Sequence, residues 1–194
     1  YGIYMSVLDP SSTSLEQLCT GYLDVPVTWL KSLRRSQQKY DRIEIKKRNG
    51  IRVLHVPNQS LANAQRSFLT SCNAISLSKT KYARYFKPSP FTHSFVKEKS
   101  ILTHAKVHRG QKFILRLDLK DFFPSITKAQ LQYVLRSRMR FNSNVSNAIL
   151  DLIHHEGLPQ GAPTSPYFSN LVATNLDHSL QKLCKKWHLR YSRY

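Results

Sequence analysis

Acidic side chains are scarce in this 194-residue sequence: 11 Asp+Glu stand against 30 Lys+Arg, a formal net charge of +19. An excess of that size points to a polyanionic partner, nucleic acid first and an anionic membrane second. It also fits a plain solvated basic surface, and charge alone does not separate the readings. Cysteine is equally sparse. Cys19, Cys72 and Cys184 lie far apart and form no CxxC pair. That excludes a disulfide framework and a zinc ribbon, and it fits a reducing, cytoplasmic compartment. No stretch approaches the ~18 consecutive apolar residues of a membrane-spanning helix. Residues 1–10 lack the basic and apolar regions of a secretory signal.

What is present is a folding composition. Hydrophobic residues make up 41% and aromatics 11%, too much for a disordered basic tail. The length suits one medium domain with a buried core. The sequence opens on Tyr1 and stops at Tyr191-Ser192-Arg193-Tyr194 without tail composition, so it reads as a fragment. No internal repeat is visible.

Local patterns predict the elements. Thr13 or Ser14 caps a turn with Leu15 and Leu18. Pro26 opens a helix with Val27, Leu30 and Leu33 on one side. Ile43 and Ile45, then Ile51, Val53 and Val56, flank Lys46-Lys47-Arg48-Asn49-Gly50, a hairpin signal with a basic tip. Asn58 or Ser60 caps a helix carrying Leu61, Ala64, Phe68 and Leu69. Residues 76–100 read as loop. There Tyr82, Tyr85, Phe86 and Phe91 alternate with cations, either as a stacking surface for single strands or as a self-packed loop. Ser100 caps a short helix through His108. The run Phe113–Leu119 reads as a central strand covered on both faces. Thr127 caps a helix with Leu131, Val134 and Leu135 inward. Residues 144–155 repeat the helical pattern, with Gly157 at the stop. Ser165 and Pro166 open a long helix to about Lys186, and His188–Tyr194 looks like the start of a strand.

Two places carry chemistry. Asp118 ends the apolar run, and Asp121, Phe122, Phe123 and Pro124 follow. An acid at the end of a buried strand is costly unless it is paired or binds a cation. A strand-end carboxylate beside a turn is a natural Mg²⁺ and phosphate position; pairing with Arg116 or capping of the turn is the structural alternative. The second place is the loop Leu158-Pro159-Gln160-Gly161-Ala162-Pro163-Thr164-Ser165-Pro166, where Gly161 admits a close approach and a helix N-terminus favours anions. His104 and His108 have i,i+4 spacing that could share a metal, although packing or RNA contact also explains them. Asp151 and Asp177 fall on predicted helix surfaces.

The segment Arg116–Ile126 resembles the first carboxylate motif of reverse transcriptases, and Leu158–Pro166 resembles their second palm motif. Both are most similar to the bacterial retron type. Arg52–Pro57 is similar to the family's second fingers strand, and Ser94–His108 to its upstream Asn-Ala-x-x-His region, with His104 where that pattern has Asn. The resemblance runs from about Tyr40 to Tyr194. It implies an α+β fold, the fingers and partial palm of a right-hand polymerase. A helical extension would span 1–39, fingers 40–111 and partial palm 112–194.

It implies RNA-directed DNA synthesis with two Mg²⁺ ions. Asp118 would be the catalytic ligand of both, and the Leu119 carbonyl would complete one shell. Asp121, Phe122, Phe123, Pro159, Gln160 and Gly161 would shape the nucleotide pocket, with Phe123 screening the sugar. Lys46 and Arg52 would neutralise the triphosphate, with Lys47 or Arg48 as substitutes for Lys46. Lys47, Arg48, His104 and His108 would touch nucleic acid. The implied partners are a structured non-coding RNA as template and primer source, dNTPs and the DNA product. An effector or toxin protein and a role in defence against phage follow from the same resemblance. The family's Tyr-x-Asp-Asp motif would begin at Tyr194, so these 194 residues alone are expected not to polymerise in a primer-extension assay. Two other readings stay open: an RNA-binding module without catalysis, and a different palm enzyme such as a nucleotidyl cyclase or template-free transferase.

Overall fold

The computed structural model describes residues 9–36, 38–47 and 50–194. In chain order the elements are α1 (Leu15–Gln17), α2 (Val27–Arg35), β1 (Tyr40–Lys47), β2 (Gly50–Pro57), α3 (Gln59–Leu77), α4 (Ala83–Phe86), α5 (Ile101–Val107), α6 (Phe122–Ser125), α7 (Lys128–Tyr133), α8 (Ser143–Ile153), α9 (Ser165–Val172) and α10 (Thr174–Lys186). A 3₁₀ turn, Pro10–Ser12, precedes α1, which runs on into a π-helical turn at Leu18–Leu23; α7 does the same at Val134–Arg138.

Helix starts follow local side-chain chemistry. Ser14, Ser100 and Thr127 each close a reciprocal capping box, with Gln17, Thr103 and Gln130 as partners. Asn58 accepts from the Leu61 N–H at 2.9 Å and opens α3. Each cap satisfies donors that the first helical turn leaves orphaned.

Helix α3 runs through the core. Its Leu61, Ala64, Phe68, Cys72 and Ile75 join Tyr22, Phe86, Leu131, Leu135, Phe141, Val145, Ile149 and Phe168 in one buried cluster. Aromatic contacts set its shape: Phe68 stacks on Phe168 at 6.0 Å, and Phe141 meets Tyr22 and Phe86 edge-on at 5.7 and 5.9 Å. One polar knot lies inside. Gln65 donates to the Leu152 carbonyl at 2.7 Å and to the Tyr40 hydroxyl at 3.0 Å, and that hydroxyl donates to the same carbonyl at 2.8 Å. Burial pushes the Tyr40 phenol up to about 12, so it stays a neutral donor that ties β1 to α8.

Strands β1 and β2 pair antiparallel from Tyr40↔Pro57 to Lys47↔Gly50. Arg48 and Asn49, the expected basic tip, lie outside the described residues. Partly buried Tyr82 and Tyr85 pack against the core, and Phe86 is fully buried. Arg84 and Arg140 lie over the Tyr85 ring at 4.9 and 5.7 Å. This is the self-packed loop rather than an open stacking platform.

Four expectations are overturned. Phe113–Leu119 is no covered central strand. It runs outside regular structure, with Phe113 92% and Leu117 82% exposed. The reason is pairing: the sheet among the described residues has two strands, β1 and β2, and neither lies beside this run. His188–Tyr194 likewise forms no strand beyond a parallel bridge between Arg193 and Thr92. The long helix to Lys186 is broken at Ala173, and Leu176 and Leu183 are exposed while Asp177 is buried. Ser165 does not cap α9. Thr164 is the cap residue, because the Ser165 hydroxyl turns back to the Pro159 carbonyl at 2.7 Å.

Candidate active site

The loop from Gly157 to Gly161 joins the turn after Asp118 to the β1–β2 hairpin. On one side the Leu158 N–H donates to the Phe123 carbonyl at 3.0 Å. Gly157, at φ +103°, packs so closely there that a Cβ would sit 2.5 Å from the Pro124 carbonyl oxygen. It is therefore no helix stop; α8 already ends at Ile153. On the other side the His55 N–H donates to the Gln160 carbonyl at 2.8 Å. Gly161 has φ +120°, and a Cβ would lie 3.2 Å from the His55 carbonyl. The close approach expected of a ligand at Gly161 is thus made by strand β2. Gly161→Ala should cost about 1–3 kcal/mol, because an L side chain at this φ is strained and its methyl meets backbone. A lower urea midpoint at unchanged slope checks this.

Pro159 is buried and Gln160 half-buried in this strap. Phe122 and Phe123 are half-buried against the core, their rings 6.4 Å apart and edge-on. They sit on α6, whose first turn starts from Asp121 in a left-handed conformation at φ 49°. Phe123, Pro159, Gln160 and Gly161 are therefore brought together around one strap. Asp118 and Leu119 lie on the exposed approach to it.

The buried, strand-end Asp118 of the sequence reading is corrected: it is exposed because the strand that would bury it is unpaired. Arg116 does not pair with it; the ion pairs among the described residues are Arg34–Asp151, Arg42–Glu44 and Arg193–Asp177. An unpaired, hydrated carboxylate is a fitting ligand for a hard cation such as Mg²⁺. It is not one of the three metal-ligating groups that cluster among the described residues.

The hairpin separates two expected triphosphate contacts. Arg52 pairs with Ile45, and Lys46 pairs with Ile51. Directly paired residues share a face and neighbours alternate. Arg52 and Lys46 consequently lie on opposite faces of the hairpin.

His104 and His108 lie elsewhere in the structure. Their rings are 5.7 Å apart, and the His104 ring is 5.6 Å from both His93 and Tyr194. His108 Nε2 meets the Ser192 hydroxyl at 2.6 Å, a packing contact of the kind the sequence offered beside a shared metal. Burial first, then the charge of His108, lowers the His104 pKa. The ring is accordingly neutral at pH 7 and brings no cation to a phosphate.

Asp177, which the helical spacing predicts on a helix surface, is fully buried. Arg193 donates to it twice, at 2.8 and 2.9 Å, and the Tyr191 hydroxyl donates at 2.7 Å. Arg193 also donates to Asn170 at 2.9 Å, and its backbone bonds Phe91 and His93. The segment 191–193 is thereby fixed on α9, α10 and residues 91–93. No local signal marks this network, because its partners come from separate parts of the chain.

A family model described as reverse transcriptase (RNA-dependent DNA polymerase) matches residues 45–194. Curated relatives agree. The retron Ec86 reverse transcriptase of Escherichia coli is 40% identical over 107 residues, 55% of this chain and 33% of that protein. The retron Mx65 reverse transcriptase of Myxococcus xanthus is 34% identical over 168 residues, 77% of this chain and 37% of its own length. The retron Ec73 reverse transcriptase of Escherichia coli is 33% identical over 163 residues, 77% of this chain and 48% of its own. The chain therefore spans between a third and a half of these relatives. No helix among the described residues is long and apolar enough to cross a membrane. On the match over most of its length, the chain belongs to the reverse transcriptase family, in its retron type.

Proposed function

We propose that the protein carrying this chain is an RNA-directed DNA polymerase that copies a structured RNA into DNA from dNTPs. One observation supports the reading most. The turn after Asp118 and the Gln160 strap, which resemble two separate polymerase motifs, are hydrogen-bonded to each other through Leu158 and Phe123. In this reading β1, β2 and the region to residue 111 are fingers, residues 112–194 belong to the palm, and 1–39 are a helical extension.

Asp118 and the Leu119 carbonyl would hold Mg²⁺. When bound, such ions supply charge neutralisation and activation of the primer hydroxyl for in-line displacement. The remaining steps belong to the chain itself. The strap holds Gln160 by its backbone and leaves its amide to orient the incoming nucleotide. Arg52 presents an exposed cation from β2. Phe123 would screen the sugar 2′ position against a ribonucleotide's hydroxyl. Phe123→Ala should therefore relax discrimination against ribonucleotides by about 10–200-fold, the range set by one missing steric contact. The ratio of kcat/KM for dNTP and rNTP checks it, and an unchanged ratio removes Phe123 from this role.

Template dependence of incorporation by the full-length protein tests the proposal as a whole. A protein that binds RNA but extends no primer under any template would instead be an RNA-binding module. A partner effector protein and a role in phage defence are part of the proposal. They are tested by whether deletion of the gene, and separately Asp118→Asn, lowers protection against infection.

A further inference from the structure

His55 on β2 and His155 and Glu156 in the turn after α8 bring their ligand atoms within 4.8 Å of one another. Neither histidine was singled out for this by sequence: His55 reads as a strand residue and His155 as helix-end surface. We propose that these three side chains form a binding site for a divalent transition metal, zinc by preference, that clips β2 to the turn after α8.

The donor set fits the metal. Two imidazoles and a carboxylate suit Zn²⁺, which takes three protein ligands and leaves a fourth position to water. Tetrahedral bonds of about 2.0–2.2 Å place ligand atoms about 3.3–3.6 Å apart. The present spacing needs closure of little more than an ångström, within reach of one exposed glutamate side chain.

Two of the ligands are already held. The His155 ring stacks on Tyr40 at 5.1 Å and meets His55 edge-on at 4.9 Å. Its backbone N–H donates to the Gly157 carbonyl at 3.0 Å, and the His55 N–H is held by Gln160. Tyr40 in turn is fixed by Gln65 and Leu152. The ring nitrogens are also uncommitted. His93, His108 and His178 each hold an oxygen with a ring nitrogen, whereas no such bond reaches the rings of His55 or His155 among the described residues. Such half-buried, pre-positioned and unspent imidazoles are what a metal ion uses. Their location gives the ion a task. Ligands from β2 and from the turn before the Gln160 strap would add a second tie beside the His55–Gln160 hydrogen bond, which joins β2 to the strap itself.

The test uses the full-length protein stripped with EDTA and titrated with Zn²⁺ by calorimetry and with Co²⁺ by visible absorption. We expect a one-to-one site with four-coordinate Co²⁺ bands, no sulfur-to-metal band, and a raised melting temperature with Zn²⁺. His55→Gln and His155→Gln should each weaken this site by about 100-fold or more, since even outer-shell changes cost 10–100-fold. Glu156→Gln should weaken it measurably, and because Glu156 is exposed this variant stays interpretable if a histidine variant fails to fold. His104→Gln should leave the site intact. Absence of a saturable site overturns the proposal. So does binding that survives Glu156→Gln and both histidine changes, or that is lost with His104→Gln.

Discussion

Asp118→Asn in the full-length protein is expected to lower primer extension by about 10³-fold or more while leaving RNA affinity and melting temperature in place. The substitution keeps size and removes charge. The proposed role asks Asp118 for several kcal/mol of metal-borne charge stabilisation, and each 1.36 kcal/mol is a factor of ten in rate. The fold asks almost nothing of it. Asp118 is exposed and has no ion-pair partner among the described residues, and such surface changes usually stay within about 0.5 kcal/mol. Activity and stability are thus separable at this position. Retained activity in the variant would sink the polymerase mechanism as assigned, whatever the RNA-binding data show.

Asp177→Ala is expected to have the largest effect on stability, about 3–5 kcal/mol. Removing one partner of a buried pair leaves the other charge desolvated and unpaired. Here the loss strands the Arg193 guanidinium, which is 15% exposed, together with the Tyr191 hydroxyl. The control is Asp151→Ala. It breaks the Arg34–Asp151 pair at a similar distance of 2.7 Å, but the two side chains are 42% and 33% exposed. That loss should stay within about 1 kcal/mol. Melting curves of the two variants side by side distinguish burial from mere ion pairing. Equal shifts would mean that the Asp177 network is not the anchor of residues 191–193.

The contrast between these residues shows what a one-dimensional reading can reach. Ser14, Asn58, Ser100 and Thr127 were legible as caps because the groups that each satisfies lie within the next three residues. The apolar rows of α3 and α8 were legible for a similar reason: a helical period repeated over several turns defines a face. The Gln160 loop was recognisable by composition and by family resemblance, but its neighbours were not. Gly157 lies on Pro124 and Gly161 on His55, and neither contact leaves a mark near the glycines. Hairpin facing stayed open in the sequence, where Lys47 or Arg48 could stand in for Lys46; the pairing sends Lys46 and Arg52 to opposite faces although both are basic and near the tip. The Phe113–Leu119 run failed differently. Its residues have the chemistry of a buried strand, but burial depends on a neighbour that pairs with it. Asp177 inverted the usual expectation, because Arg193 and Tyr191 make an inward carboxylate tolerable.

The exposed run from Phe113 to Leu119 also has a colloidal consequence. An unpaired, exposed, apolar stretch is a template for the same stretch in another copy. Lys112, Arg116 and Lys120 are spaced along it, all exposed, and they act as gatekeepers, because two copies in register would stack like charges. Their repulsion is long-ranged only in dilute salt and shrinks to about 3 Å at 1 M. High-salt washing, the usual way to strip nucleic acid from a basic protein, would remove the barrier that keeps these segments apart. This chain should therefore be handled in low salt with a neutral solubiliser, and its turbidity should rise, not fall, as sodium chloride is added.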